Sequence, residues 1–152
     1  MNLKIDSENP RGCWTSVFHE IGHSVDRATD QISTRTGLFK TLLVDDFESL
    51  VKNYQMYYSV NKQEAYRELS ESLQSPEYHI ISDLFGGLTN NECMGHYGYR
   101  NEGYWKKPGK LEKEAFAHFF EALARNDAVK IETVKSVFPN AFGEFIRLLE
   151  EL

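Results

Sequence analysis

The feature that most constrains this chain is a pair of histidines four residues apart, in the segment His19-Glu20-Ile21-Gly22-His23. Residues at this spacing lie one turn apart on the same face of an α-helix, so both imidazoles can point at one metal ion. Glu20 lies about 100° further round the helix, where it would flank that ion rather than bind it. The spacing therefore predicts a helix with two metal ligands and a candidate general base beside them.

A third metal ligand is expected on a later helix. An extended histidine signature would place another imidazole six residues after His23, but that position is Thr29. Glu114, His118 and Glu121 share one face of a predicted helix near the end of the chain, and zinc accepts carboxylate oxygen as well as imidazole nitrogen. The alternatives without a metal site are two surface histidines on an ordinary amphipathic helix and a solvated acidic face on the later helix.

Apolar periodicity and turn residues predict a mainly α-helical domain. Leu3–Asp6 is the only candidate strand before the histidine pair, so any β-sheet would be small. A short helical turn at Ile80–Leu84 is expected to end at Gly86-Gly87, and the aromatic, Gly-rich segment Asn90–Gly109 is expected to be an ordered loop. The predicted helices cover about residues 16–29, 45–57, 61–73, 111–125, 128–136 and 141–152.

Two predicted helices should pack together, because both carry ligands for one ion. Each has an apolar stripe that we expect to be largely buried in the core. The stripe residues are Val17, Ile21 and Val25 on the first helix, and Phe116, Phe119, Phe120 and Leu123 on the second.

Composition excludes several classes of protein. A formal net charge of −6 argues against broad binding of nucleic acid. Cys13 and Cys93 are the only cysteines, so neither a disulfide framework nor a cysteine zinc site is implied. No apolar run is long enough to span a membrane, and the first residues lack the apolar core of a secretory signal. We expect one domain over residues 1–152 in a cytoplasmic setting, either complete or one piece of a larger polypeptide.

Two motifs together resemble the lethal-factor-like zinc metallopeptidases. These are His19-Glu20-Ile21-Gly22-His23-Ser24-Val25-Asp26 and, far downstream, Glu114-Ala115-Phe116-Ala117. Gly103-Tyr104-Trp105 and Phe138-Pro139 look most like the branch of this family carried by bacteriophage head or minor structural proteins. The resemblance covers about residues 13–150 and implies a zincin-like domain, nominally α+β, whose sheet is reduced here.

The resemblance also assigns site residues. It implies that His19, His23 and Glu114 bind one zinc ion per chain and that Glu20 is the catalytic base. The family places a tyrosine shortly before the glutamate ligand to stabilise the oxyanion. Its usual position is Lys107 here, so the nearest candidate is Tyr104, with Tyr97 and Tyr99 behind it. Asp26 and His118 are expected to contact the ligands without binding the metal themselves. His118 is also the alternative to Glu114 as a metal ligand.

The function implied is a zinc-dependent endopeptidase that hydrolyses peptide bonds through a metal-activated water. Its partner would be a peptide or protein substrate, with phage structural proteins as candidates, and neither nucleic acid nor membrane is expected. The location would be cytoplasmic or virion-associated. The alternatives are a non-catalytic phage or mobile-element assembly protein that keeps the zincin scaffold, and a binding module stabilised by a closed zinc site.

Overall fold

The computed structural model describes residues 13–96, 98, 101 and 103–152. Within this part of the chain the protein is helical and has no strand, which confirms the mainly α prediction there. The predicted strand Leu3–Asp6 lies outside the described residues. Two short 3-10 helices, Ile32–Thr34 and Pro76–Tyr78, join the longer elements. The α-helices are α1 (Cys13–Ala28), α2 (Leu38–Tyr58), α3 (Lys62–Ser72), α4 (His79–Thr89), α5 (Lys110–Ala124), α6 (Ala128–Val137) and α7 (Pro139–Glu150).

Helices α1 and α5 make the most extensive contact between elements, as predicted for the two helices that carry the candidate ligands. The contact is close because Gly22 faces Ala117. A Cβ atom built on Gly22 would lie 2.8 Å from the Ala117 Cα atom and 3.2 Å from the Ala117 carbonyl oxygen. Two small residues at a crossing allow two helix backbones to approach each other closely. The approach brings the His19 and His23 side chains within reach of Glu114.

An aromatic core fixes the orientation of α5. Phe116 and Phe119 are fully buried, and both make edge-to-face contacts with Phe145 of α7 at ring-centroid distances of 5.1 and 5.6 Å. Phe39 of α2 meets Phe119 in the same way at 5.9 Å. Edge-to-face pairs of buried rings add specific geometry to the burial of apolar area. With its phenylalanines held in this core, α5 turns its Glu114 face toward α1.

Helix α2 begins at Leu38, so the predicted start near Asp45 and Asp46 was wrong. Asp46 lies within α2, and its side chain bonds to a different helix. Its Oδ2 atom accepts hydrogen bonds from the backbone N–H groups of Asn140 and Ala141 at 3.0 and 2.9 Å. These groups lie in the first turn of α7, where backbone N–H groups lack partners within the helix. Asp46 therefore joins α2 to the start of α7.

Helix α4 continues through Gly86-Gly87, so the prediction that this pair ends a short helical turn was wrong. The two glycines do not form a turn; their lack of side chains leaves space for a neighbouring side chain. A Cβ atom on Gly87 would lie 2.9 Å from both the Trp105 ring and the Leu111 side chain. Trp105 is itself buried, so the helix takes glycine at the point where the indole ring crosses it.

The predicted burial of the two apolar stripes is only partly correct. Ile21 and Leu123 are exposed at 40% and 37%, and Val17, Val25 and Phe120 are half-buried. The side of α1 that meets α5 carries His19, Gly22, His23 and Asp26, spaced three and four residues apart. The contact face of α1 is therefore polar, and the valine and isoleucine stripe lies beside it.

None of the described helices is both long enough and apolar enough to cross a bilayer.

The crossing of α1 and α5 gives a stability prediction. Gly22→Ala is expected to lower the free energy of unfolding by about 1–3 kcal/mol, because its Cβ would overlap backbone atoms of α5 that cannot move independently. Chemical denaturation measures the change.

Gly143→Ala in α7 is the matched control, since a Cβ there meets no atom within 4 Å. Replacing this exposed helical glycine should raise the stability by up to about 1 kcal/mol. Equal effects at the two positions would contradict a close crossing at Gly22.

Candidate metal centre

Three side-chain atoms from α1 and α5 converge on one point, and they belong to the three predicted ligands. The Nε2 atoms of His19 and His23 are 3.1 Å apart. The Oε2 atom of Glu114 lies 3.2 Å from the His19 Nε2 atom and 3.5 Å from the His23 Nε2 atom. These three atoms are called the ligand triangle below.

The size of the ligand triangle fits zinc. Two ligand atoms that are each about 2.0–2.1 Å from a tetrahedral ion are about 3.3 Å apart. The sides of the triangle, at 3.1, 3.2 and 3.5 Å, scatter around that value. Two imidazoles and one carboxylate are also a ligand set that catalytic zinc sites use, with a fourth position left for water or substrate.

Protons alone do not account for the ligand triangle. If both histidines carry a hydrogen on Nε2, the two hydrogens meet across the 3.1 Å contact between His19 and His23. If only one histidine carries a hydrogen on Nε2, the other two atoms of the triangle are both acceptors. Either they share that single hydrogen, or their lone pairs face each other and repel. A cation between the three atoms would attract a lone pair from each of them and remove this repulsion. The arrangement of donors therefore fits a metal site better than a hydrogen-bonded cluster.

The second oxygen of Glu114 is held by two other residues. The Tyr104 hydroxyl donates a hydrogen bond to Oε1 at 2.6 Å, and the Lys110 Nζ atom lies 2.8 Å from the same oxygen. Lys110 also lies over the Tyr104 ring, 4.5 Å from its centroid. Burial opposes ionisation of Glu114, but hydrogen bonds from His19, His23, Lys110 and Tyr104 hold its pKa well below its usual range. The carboxylate is thus charged and correctly oriented to bind a cation.

The surroundings of His19 favour the neutral form of its imidazole, which is the form that binds metal. Burial lowers the pKa of His19 below its ordinary value, although the hydrogen bond to Glu114 acts in the opposite direction. A metal ion must displace any proton from a ligand imidazole, so a lowered pKa reduces this competition.

The ligand triangle borders an open cleft of about 340 Å³. Glu20 is exposed and lines this cleft together with His23 and Glu114. Tyr104 also lines the cleft, and its hydroxyl bonds to the Glu114 oxygen that is not part of the ligand triangle. Tyr97 and Tyr99, the other tyrosine candidates, lie outside the described residues. A candidate base, a hydroxyl donor and two of the three candidate ligands therefore line one cleft.

Asp26 supports the turn after α1 rather than a ligand. It is buried, and its Oδ1 atom accepts a hydrogen bond from the Ser33 backbone N–H group at 2.9 Å. The Asp26 carbonyl oxygen accepts a further bond from the Gln31 N–H group at 2.7 Å. These bonds fold the chain back directly after α1 and fix the edge of the cleft. No hydrogen bond from Asp26 to a ligand accompanies them.

His118 lies behind His19, away from the cleft. Its Nε2 atom is 2.7 Å from the Oδ2 atom of Asp83 in α4, and its ring centroid is 4.5 Å from that of His19. Burial disfavours the charged imidazolium, but the hydrogen bond to Asp83 and the negative charge of the nearby Glu121 carboxylate raise the pKa of His118 to about 9. His118 is therefore engaged by Asp83 and takes no part in the ligand triangle.

Asp83 is the residue of this region that sequence analysis missed. A single acidic residue in the apolar run Ile80-Ile81-Ser82-Asp83-Leu84 was the available signal, because a buried charge requires a partner. Lys110 was also missed, although its position four residues before Glu114 on one helix face could have indicated the ion pair.

Glu121 closes this buried network on the far side of His19. Its Oε1 atom accepts a hydrogen bond from Lys130 at 2.8 Å, and its Oε2 atom lies 3.9 Å from the Nδ1 atoms of both His19 and His118. These three atoms form a second group with metal-ligating chemistry. Distances of 3.9 Å are wide for the edge of a tetrahedral zinc site, and the group lies in the interior, so the ligand triangle is the better candidate.

Comparison of the chain with models of protein families, with curated proteins and with solved structures gave no match. The resemblance to lethal-factor-like metallopeptidases thus stays a prediction that depends on the two motifs.

We predict that the purified protein binds about one zinc ion per chain, and that His23→Ala and Glu114→Gln each lose most of it. Each change removes one of only three protein ligands. Metal analysis by mass spectrometry after dialysis, together with a competition titration of zinc affinity, measures the loss.

His96→Ala is the control for removal of a histidine, because His96 is exposed and lies outside the ligand triangle. Glu121→Ala distinguishes the two candidate groups, since it should retain the zinc stoichiometry of the wild type. Loss of zinc in Glu121→Ala with retention in Glu114→Gln would place the metal on the other side of His19.

Proposed function

We propose that the chain is a zinc-dependent endopeptidase with a zincin-like site, related to the lethal-factor-like metallopeptidases of bacteriophages. The observation that carries the proposal is the ligand triangle of His19, His23 and Glu114, at the edge of an open cleft that Glu20 also lines. An open fourth position distinguishes a catalytic zinc site from a structural one.

Zinc, when bound, would supply Lewis-acid chemistry by polarising a peptide carbonyl and lowering the pKa of the attacking water. Glu20 would accept the proton of that water on its carboxylate and deliver it to the nitrogen of the leaving amine. Its exposure to the cleft supports this role, because a general base must reach solvent and substrate. His19, His23 and Glu114 would hold the ion in place.

Tyr104 is proposed as the donor to the oxyanion. Its hydroxyl bonds to Glu114 at 2.6 Å, so it already lies beside the ligand triangle. To reach a substrate oxygen it would exchange this bond for one to the developing negative charge. Lys110 would continue to neutralise the Glu114 Oε1 atom after the exchange.

The runner-up is a phage or mobile-element assembly protein that retains the zincin scaffold without hydrolysis. A third class, a binding module with a closed zinc site, accords less well with a cleft that borders the ligand triangle. Co-encoded structural proteins are the first candidates to test, as substrates under the endopeptidase proposal and as binding partners under the assembly proposal.

Glu20→Gln is expected to retain zinc and the fold but to lose hydrolysis by a factor of about 10²–10⁴ or more. The change is nearly isosteric, but an amide cannot accept the proton of the attacking water. Cleavage of a broad peptide library by the zinc-loaded protein, read by mass spectrometry, measures the activity.

Glu71→Gln, an exposed change on α3, is the control for loss of one negative charge. Wild-type cleavage by Glu20→Gln would assign the activity to another mechanism or a contaminant. A wild-type protein that holds zinc and cleaves no member of the library would favour the assembly protein.

Tyr104→Phe should lower kcat by about 10- to 10³-fold with little change in zinc affinity, because only the oxyanion donor is removed. The phenylalanine ring preserves the contact with Lys110. An equal loss of zinc affinity and activity would instead make Tyr104 a support for Glu114.

A further inference from the structure

In the part of the chain that the structure describes, three cationic side chains line the cleft beside the ligand triangle, although the chain as a whole has a net charge of −6. They are Arg27, Lys110 and Lys113. Lys110 forms an ion pair with Glu114, with its Nζ atom 2.8 Å from the Oε1 atom. Arg27 and Lys113 make no ion pair within the described part of the chain. Two uncommitted cations in the cleft of an acidic protein mark a site for an anion.

Helix geometry places both cations next to the ligands. Arg27 follows His23 by four residues on α1, so it continues the same face one turn beyond the ligand triangle. Lys113 directly precedes Glu114 on α5. The two cations thus come from the two helices that form the site, and both reach the cleft that a substrate would occupy.

The acidic residues of the cleft do not cancel these charges. Asp26 is buried and accepts the Ser33 N–H bond. Glu114 is bonded to Tyr104 and Lys110. Among the described residues that line the cleft, Glu20 is the one exposed carboxylate. A bound divalent cation would add positive charge to the same cleft.

We infer that Arg27 and Lys113 form a carboxylate subsite, so that the cleft selects peptides with a carboxylate close to the bond to be cleaved. This inference depends on the proposed function for its catalytic meaning. The carboxylate could come from a Glu or Asp side chain within the substrate or from its C-terminus. An internal carboxylate agrees with an endopeptidase, whereas a C-terminal one would make the enzyme a carboxypeptidase.

The test uses four fluorescein-labelled Gly/Ser peptides and the zinc-loaded Glu20→Gln protein, which should bind without cleaving. Three peptides have amidated C-termini and a central run of Glu, Gln or Lys, and the fourth has the Gln run with a free C-terminal carboxylate. Fluorescence anisotropy at low and physiological ionic strength gives the Kd of each. The Glu peptide should bind more tightly than the Gln peptide, and added salt should reduce the difference.

The double variant Arg27→Gln/Lys113→Gln should weaken binding of the Glu peptide by about 3- to 30-fold at low salt, as expected for two exposed ion pairs, and leave the Gln peptide unchanged. The matched control Lys40→Gln/Arg67→Gln removes the same two charges from exposed positions on α2 and α3. It should leave the Kd values for the Glu and Gln peptides close to the parent values.

The outcomes distinguish the two sources of the carboxylate, and they separate failure of the subsite from failure of the proposed hydrolysis. Tighter binding of the free C-terminal peptide than of the Glu peptide supports the subsite but assigns it to a peptide terminus. Equal affinity for all four peptides, or a Glu preference that persists in the double variant, overturns the inference. Glu-selective binding that the double variant abolishes, in a protein whose wild type cleaves nothing, supports the subsite and contradicts the proposed hydrolysis.

Discussion

The close crossing of α1 and α5 is the contact on which the candidate site depends. Gly22 and Ala117 allow the two backbones to approach, and any Cβ at Gly22 would lie only 2.8 Å from the Ala117 Cα atom. His23 follows Gly22 directly, and Glu114 lies one turn before Ala117. The distances from the Glu114 Oε2 atom to the two histidine Nε2 atoms are therefore set by how closely the two helices pack. The aromatic core behind α5 holds that packing in place.

Such a crossing buries several ionisable groups, and the protein stabilises them in connected pairs. Asp83 compensates His118, while Glu121 lies between two histidines and the Lys130 ammonium group. Burial opposes ionisation of Glu121, but His118 and Lys130 lower its pKa to about 2. A buried charge without such a partner would cost several kcal/mol. This network surrounds the rear of His19 and gives its ring a fixed environment.

Sequence analysis predicted the helices and the ligand-bearing faces because both follow from local spacing. The positions of His19 and His23 at i and i+4, and of Glu114, His118 and Glu121 on one helix face, required no tertiary knowledge, whereas the choice of Glu114 among these three came from the family resemblance. Sequence analysis missed Asp83, whose role depends on how α4 packs against α5. It also misjudged Asp46 and Gly86-Gly87, since an aspartate can cap a distant helix and glycine can admit a tryptophan as readily as a turn. Tertiary contacts, which local pattern does not encode, decided each of these cases.

The polar contact face of α1 has a consequence for specificity. Because His19, Gly22, His23 and Asp26 occupy the side that meets α5, the next residue along the His19–His23 line, Arg27, emerges at the open end of the crossing. Lys113 reaches the same cleft from α5 because it lies beside Glu114 on its helix. The geometry that brings the candidate ligands together thus also determines which side chains would border a substrate in the cleft. The chain has a net charge of −6, but the described border of the cleft carries Arg27, Lys110 and Lys113, so electrostatic selection of a substrate would act at the cleft itself.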